Sequence, residues 1–451
     1  MTDAPVFVSS RDPARRTLTF EEALRRGLAP DGGLYVPALL PKLAPGWERS
    51  TSWPETVAAV LGPWFAPHER DAWVASAQEA LDFPVPVREL SERRMLLELH
   101  HGPTLAFKDV AARTMARWWG RSLSDRGESA TVLVATSGDT GSAVADGFAG
   151  VEGLRVVVLY PAGRVSPLQE RQLTLPREGV YALAVEGDFD HCQRLAKAAL
   201  VDETLTALNL SSANSINVGR LLPQLTYHVW GALQASRAMG VALVDLLSVV
   251  PSGNLGNLTA GLLATAMGLP LAGMLAAHNA NDHFPRVLLG EADPTAAPPT
   301  LATYSNAMDV GAPSNLERLL AVFPDGNYPV PLVGASVDDA ATLDSISRTW
   351  REEGVMVCPH TAVGLEALRR LRGVGRGESG APALRGASAL RGASALVLAT
   401  AHPAKFAEVV ARAVPGERVE HPALERLPAA RAFGRLAAEP GALQEWLRNQ
   451  F

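Results

Sequence analysis

The 451-residue chain is short of cysteine, of charge of one sign and of unbroken apolar runs, and each scarcity excludes something. Its two cysteines, Cys192 and Cys358, lie far apart and outside any CxxC pair or Cys/His cluster with metal-ligand spacing. No metal site is expected, and a reduced, cytoplasmic protein is the natural reading. The formal net charge of -6 is spread over mixed signs. That argues against nucleic acid or an anionic membrane as partner, since either usually needs a basic face, but it leaves small anionic ligands open. Leu246 to Ala277 carries no charge, yet Pro251, Ser252, Gly253, Asn254, Gly256 and Asn257 interrupt it and Pro270 breaks it again. The longest intact piece, Leu258 to Leu269, falls well short of the roughly 20 residues a membrane-spanning helix needs. The stretch reads as a buried strand, a turn, a helix and another strand. The first residues have neither a basic nor an apolar leader region, so no secretion signal is expected.

What is present is the profile of a soluble globular protein, 47% apolar and 20% charged, long enough for two or three domains. Thr131 to Ala135, Arg155 to Tyr160, Val180 to Val185 and Leu246 to Val250 read as buried strands. Helical patterns over Ser142 to Phe148, Pro167 to Leu173, His191 to Leu200 and Leu258 to Met267 alternate with them. Such alternation predicts an α/β fold with parallel sheets covered by helices on both faces. The first hundred residues differ: a helical pattern over Thr19 to Arg26 precedes the turn Pro30-Asp31-Gly32-Gly33, and Trp53, Trp64 and Trp73 suggest a helical segment packed on the body. The expected division is an N-terminal segment over 1–95, a smaller α/β domain over 96–230 and a larger one over 231–451. The direct repeat Arg-Gly-Ala-Ser-Ala-Leu follows the Gly-rich 373–380 and is too short for a solenoid, so an exposed, mobile insertion is expected over about 373–394. Its second copy feeds a strand over Ala395 to Ala399.

Four short segments carry chemistry. In His100-His101-Gly102-Pro103-Thr104-Leu105-Ala106-Phe107-Lys108-Asp109 a lysine follows an apolar run. Desolvation there would depress its pKa, as Schiff-base and proton-transfer lysines require. A structural lysine paired with Asp109 explains those residues equally well. Thr136-Ser137-Gly138-Asp139-Thr140-Gly141 follows a strand and opens a helix, which suits a carboxylate or phosphate, or else plain capping. Ser252-Gly253-Asn254-Leu255-Gly256-Asn257 lies between strand and helix without the lysine of a P-loop; its glycines admit close approach, and its N–H groups can hold a phosphate. Thr400-Ala401-His402-Pro403-Ala404-Lys405-Phe406 ends another strand, where a hydroxyl can meet a heteroaromatic nitrogen. The last three segments lie at C-terminal strand ends, where open α/β sheets bind ligands. A lysine, two anion cradles and a hydroxyl gathered there point to a phosphate-bearing cofactor joined to a lysine.

These segments have an order. Thr19-Phe20-Glu21-Glu22-Ala23-Leu24 with Gly27 to Pro37, the Lys108 segment, the Ser137 to Gly141 turn and Asn214-Ser215-Ile216-Asn217 with Arg220 are followed by the Ser252 to Asn257 turn. Ser305 to Val310, Pro359-His360-Thr361-Ala362 and Thr400 to Phe406 complete the series. The series resembles the bacterial-type threonine synthases, over about residues 7 to 410. The resemblance implies a tryptophan-synthase-β-like fold (fold type II of the pyridoxal-phosphate enzymes) with an added N-terminal helical segment. It implies pyridoxal 5'-phosphate as cofactor and conversion of O-phospho-L-homoserine and water to L-threonine and phosphate, the last step of threonine biosynthesis. Lys108 is then the Schiff-base lysine, and Gly253, Asn254, Leu255, Gly256 and Asn257 bind the cofactor phosphate. Thr400 meets the pyridine nitrogen, Asp139 borders the ring, and Ser137, Gly138 and Thr140 receive the substrate carboxylate. Arg220, with Asn214 and Ser215, is expected on the substrate phosphate, because a guanidinium binds phosphate in bidentate fashion; a helix-start salt bridge is the alternative. His100, His101, His360 and His402 are proton-relay candidates, though each alone reads as a structural histidine. A monomer or homodimer is expected, and a dehydratase or other lyase of the same fold is the nearest rival.

Overall fold

The computed structural model describes residues 4–136, 138–373 and 387–451. Thr19 starts the helix Phe20–Arg26 through a reciprocal capping box with Glu22, and Ser52 does the same with Glu55 for the helix Trp53–Leu61. These helices present aromatic faces: Phe20 meets Phe65, Trp73 and Trp118 edge-on, with centroids 5.4, 5.7 and 5.1 Å away. Trp118 belongs to the helix Lys108–Ser124, so the cluster fastens the N-terminal segment to the element that begins with Lys108. The strands β1 (Phe7–Ser9) and β2 (Tyr35–Pro37) form a small antiparallel pair beside it.

The body holds two larger sheets. The strands β3 (Val87–Leu90), β4 (Arg94–Glu98), β9 (Leu246–Pro251), β10 (Gly273–His278), β11 (Leu332–Ser336) and β12 (Ser394–Ala399) form one, in the order β11-β10-β9-β12-β4-β3. All neighbours there are parallel except β3, a hairpin partner of β4. The other sheet orders β5 (Ala130–Ala135), β6 (Leu154–Pro161), β7 (Val180–Glu186), β8 (Leu210–Ser212) and β13 (Gly434–Ala437) as β13-β7-β6-β5-β8, all parallel. Nearly every residue of β5, β6, β9, β10 and β12 is buried, as continuous apolar runs covered on both faces require. The charge-free stretch after Leu246 is β9, the buried helix Gly256–Met267 and β10. Among the described residues no helix is long and apolar enough to cross a membrane.

Strand pairing differs from the contiguous division expected from sequence in two places. The expected boundary at 95/96 falls inside β4, which pairs with β12 in the six-stranded sheet. The chain's last strand, β13, returns to β7 in the five-stranded sheet instead of staying with its neighbours in sequence. Both differences arise from pairings between segments far apart in the chain. Residues 374–386 of the expected insertion lie outside the described residues. From 387 onward it is not an exposed loop: Ala387 and Leu390 are buried in the apolar layer beneath the six-stranded sheet, and Ser394 begins β12.

Candidate active site

Lys108 is delivered by a strap stitched to the end of β12. Ala106 and Ala401 form an antiparallel bridge, Phe107 N–H donates to the Thr400 carbonyl at 2.9 Å, and His402 N–H donates to the Leu105 carbonyl at 3.0 Å. Thr400, itself buried, is thereby fixed beside the segment that begins the Lys108 helix. Asp109 closes the strap from beneath, accepting the Thr104 N–H at 2.8 Å and the Thr104 hydroxyl. A Cβ on Gly102 would lie 2.5 Å from the Asp109 carboxylate, which accounts for glycine there. Burial pushes the Asp109 carboxyl up to about 6 against the lowering effect of those hydrogen bonds.

Asp139 begins the helix Asp139–Phe148 after β5, with Gly138 preceding it at φ 148°. Its carboxylate is met by Lys405 Nζ at 2.9 Å and by Lys108 Nζ at 3.5 Å. Burial alone would raise the Asp139 carboxyl, but the two ammonium groups outweigh it and hold the group well below the usual range. Lys108 shows the opposite balance: burial pushes its amine down, and the field of Asp139 only partly restores it. Thr136 Oγ1 accepts the N–H groups of Gly138 at 3.0 Å and Gly141 at 2.9 Å, so the turn is held from within. Thr140 follows, half-buried; Ser137 lies outside the described residues.

The 213–220 segment links this turn to the one after β9. Asn214 Nδ2 donates to the Ala135 carbonyl at 2.9 Å, and Ser215 Oγ accepts from Asn254 Nδ2 at 2.5 Å. Asn254 Oδ1 accepts the Ser314 N–H at 2.6 Å. Leu255 adopts a left-handed φ of 62°, and the helix Gly256–Met267 starts there without a side-chain cap. Asn257 Oδ1 accepts the Tyr227 hydroxyl at 2.8 Å and faces His228 Nε2 at 2.9 Å, while its Nδ2 is buried without a hydrogen-bond partner. Arg220 is buried and donates from Nη1 to the Ala213 carbonyl at 2.6 Å; its Nε is likewise unpartnered. A helix-start surface salt bridge is therefore not its role. Burial lowers this guanidinium to about 10, with Asp109 acting against the shift.

Two residues to which the sequence assigns no role, Lys405 and Arg318, belong here, as does His360, one of the proton-relay candidates. Lys405, inside the turn Pro403–Phe406, has a wholly enclosed side chain on Asp139. Arg318 is fully buried and ties Tyr35, Ser215 and Ile216 together through their carbonyl oxygens. His360 accepts the Ala307 N–H at 3.1 Å through Nε2, leaves Nδ1 buried and unpartnered, and is held down to about 3 by burial. Asp139 lies far from Lys405 in the chain, so no local pattern in the sequence marks the pair. His100, His101 and His402 lie elsewhere, in a cavity of about 430 Å³ whose lining does not include Lys108. His101 Nε2 pairs with Glu98 at 2.8 Å, and Arg88 Nε donates to the other Glu98 oxygen at 2.5 Å. Glu98, His100 and His101 each bring one possible ligand atom within 4.8 Å of the others, at a sequence spacing that matches no metal-ligand motif. Glu98 is already balanced by its two partners.

Comparison with known proteins shows the family to which the chain is similar. The pyridoxal-phosphate-dependent enzyme profile covers residues 86–383, the threonine synthase N-terminus profile residues 6–73 and the threonine synthase C-terminal profile residues 361–432. A threonine synthase from Serratia marcescens is 39% identical over 417 residues, 90% of each chain. The crystal structure of threonine synthase from Escherichia coli superposes with a TM-score of 0.84 at 35% identity, covering 99% of this chain and 100% of its own. The PLP-bound threonine synthase from Brucella melitensis gives 0.84 at 33% identity, covering 99% of both chains. The chain belongs to the threonine synthase family of pyridoxal-phosphate-dependent enzymes.

Proposed function

We propose that Lys108 is the residue through which this chain carries out the family's reaction, the conversion of O-phospho-L-homoserine and water to L-threonine and phosphate. Pyridoxal phosphate is the cofactor, and the residues present fit it. Lys108 offers a largely enclosed amine that desolvation drives toward its neutral, nucleophilic form. The turn Gly253 to Asn257 offers an uncapped helix start and the unpartnered Asn257 Nδ2, which suit the cofactor phosphate. Thr400 would stand at the ring nitrogen and Asp139 beside the ring. When bound, the cofactor supplies the electron sink for charge developing on the substrate's carbons.

The remaining roles fall to the chain itself. Lys108 Nζ takes the proton from the substrate Cα. The turn Gly138 to Thr140, with Ser137, receives the substrate carboxylate at the start of its helix. Arg220, with Asn214 and Ser215, holds the substrate phosphate that leaves from Cγ before water adds at Cβ. The unpartnered, fully buried Arg220 Nε supports this most directly, because a buried guanidinium lacking an anion is costly unless a ligand supplies one. The observation that carries the whole reading is a largely enclosed lysine amine, 13% exposed, set between Asp139 after β5 and the strap bonded to the end of β12.

All these groups come from one chain, so a monomer or a homodimer serves equally. Two buried, unpaired cysteines fit a reducing cytoplasmic setting. The site roles are tested by Arg220→Ala. Phosphohomoserine binding should weaken by about tenfold or more, the scale of one lost charge-assisted contact, with cofactor retention unchanged. Equal losses for both ligands would remove Arg220 from the substrate subsite.

A further inference from the structure

Asp139 is one carboxylate with two lysines. Lys405 Nζ lies 2.9 Å from Oδ1 and Lys108 Nζ 3.5 Å from Oδ2. The Lys405 side chain is 0% exposed and that of Lys108 13%. Lys405 also donates to the Thr104 carbonyl at 2.8 Å. It is placed by a rigid turn, Pro403–Phe406, which His402 Nδ1 caps through the Ala404 N–H at 3.2 Å. The whole chain has only four lysines, Lys42, Lys108, Lys197 and Lys405, among 41 basic residues. Two of the four therefore converge on one buried acid.

One buried carboxylate balances one ammonium; a second ammonium beside it is left uncompensated in surroundings that penalise charge. The shorter, fully enclosed, doubly bonded contact belongs to Lys405. We propose that Lys405 is a positioning residue: as the standing counter-ion of Asp139 it frees the Lys108 amine to exist without its proton at neutral pH. The proposal rests on the reading of Lys108 as the cofactor lysine. The other groups facing Lys108 act in the same direction or are silent. Arg220, from the turn Val218–Arg220, repels an added positive charge, and the buried His360 ring, from the helix Pro359–Gly373, stays neutral. Asp109, on the same helix as Lys108, is engaged by Thr104. With Lys405 in place, the Asp139 charge is already answered. Without it, Lys108 becomes the carboxylate's sole lysine partner and keeps its proton to higher pH.

The test reads amine reactivity in place of turnover. Full-length protein freed of cofactor is mixed with pyridoxal phosphate across pH 6 to 10, and covalent capture is followed by absorbance. The neutral Lys108 amine attacks the aldehyde carbon; a C=N bond forms and one water leaves. Lys405→Met should move the half-maximal capture rate up by about one pH unit or more, which is about tenfold slower capture at a fixed pH below it. Asp139→Asn should move the profile down, because the anion that favours protonated Lys108 is gone. Lys405→Arg, which keeps the charge, should stay close to the parent profile. If Lys405→Met misfolds, Lys405→Gln, which also removes the charge but keeps a polar side chain, must show the same upward shift. A Lys405→Met profile that coincides with the parent's, or an upward shift in Asp139→Asn, would overturn the proposal. Borohydride reduction and peptide mapping locate the captured lysine. Capture at another lysine overturns the reading of Lys108 itself, whereas capture at Lys108 with unmoved profiles overturns only the role of Lys405.

Discussion

One missing carbon matters at position 253. A Cβ there would lie 2.7 Å from the Met308 Cα, so any side chain would push the Gly253 to Asn257 turn away from the 306–308 segment. Gly253→Ala should therefore loosen pyridoxal phosphate by about tenfold or more, roughly 1.4 kcal/mol, as measured by equilibrium dialysis; unchanged retention would mean that the turn is not the phosphate cradle. At this scale the sequence was most readable where a residue's oddity is local. Lys108 stands out because it follows the apolar run Leu105-Ala106-Phe107, and Gly253 and Gly256 because two glycines bracket a short turn. Lys405 and Arg318 were silent because their meaning lies in partners far away in the chain: Asp139 for one, and Tyr35, Ser215 and Ile216 for the other.

Helices and strands place these residues, and two elements can be tested directly. The helix Asp139–Phe148 depends on Gly138, whose φ of 148° and 2.5 Å approach to the Gln169 side chain leave no room for a Cβ. Gly138→Ala should cut kcat/KM by about tenfold or more while far-UV circular dichroism stays unchanged; full activity would detach the turn from substrate binding. The helix Lys108–Ser124 is anchored by Trp118, fully buried, its Nε1 donating to the Trp73 carbonyl at 2.9 Å. Trp118→Ala should cost about 3–5 kcal/mol in denaturant unfolding; a loss below about 1 kcal/mol would show that the aromatic cluster does not hold the N-terminal segment. Strands flanked by turn residues, such as β5, β6, β7 and β9, were legible to within a residue or so at each end. The β3–β4 hairpin was not, because its charged turn Ser91 to Arg93 and short strands hide the alternation. Nor was β13, since nothing in Gly434–Ala437 announces that it pairs with β7.

For the molecule as a whole, buried titratable groups set the response to acid. Burial holds His228 and His278 down to about 4 and His360 to about 3, so all three are neutral in the folded state and bind protons more readily when unfolded. Their stabilising contribution is present above the ordinary histidine pKa of about 6.5 and is lost as pH falls toward the folded values. Asp109 opposes them. Its folded pKa of about 6 is raised, so its contribution is present in acid and fades as pH rises through 6. Near pH 5 the balance of these four groups is a net uptake of about two protons on unfolding, or roughly 3 kcal/mol of stability lost per pH unit, and His100 and His402, held down to about 4 by burial, add to the uptake. Denaturant midpoints should fall between pH 7 and pH 5, and equal midpoints would contradict the burial of these histidines. Chain-wide order, a strand-helix body with an N-terminal helical segment, was readable because it follows from apolar period and turn chemistry. The exchange of β4 and β13 between the expected domains was not, because pairing partners are chosen by the assembled sheets.

The most direct test of the central claim is an absorbance spectrum of the purified protein, followed by addition of O-phospho-L-homoserine while phosphate and threonine are measured together. The expected result is a band of lysine-bound cofactor that is lost in Lys108→Ala, with phosphate and threonine released in equal amounts by the parent protein. A band that persists in Lys108→Ala, or phosphate released without threonine, would contradict it.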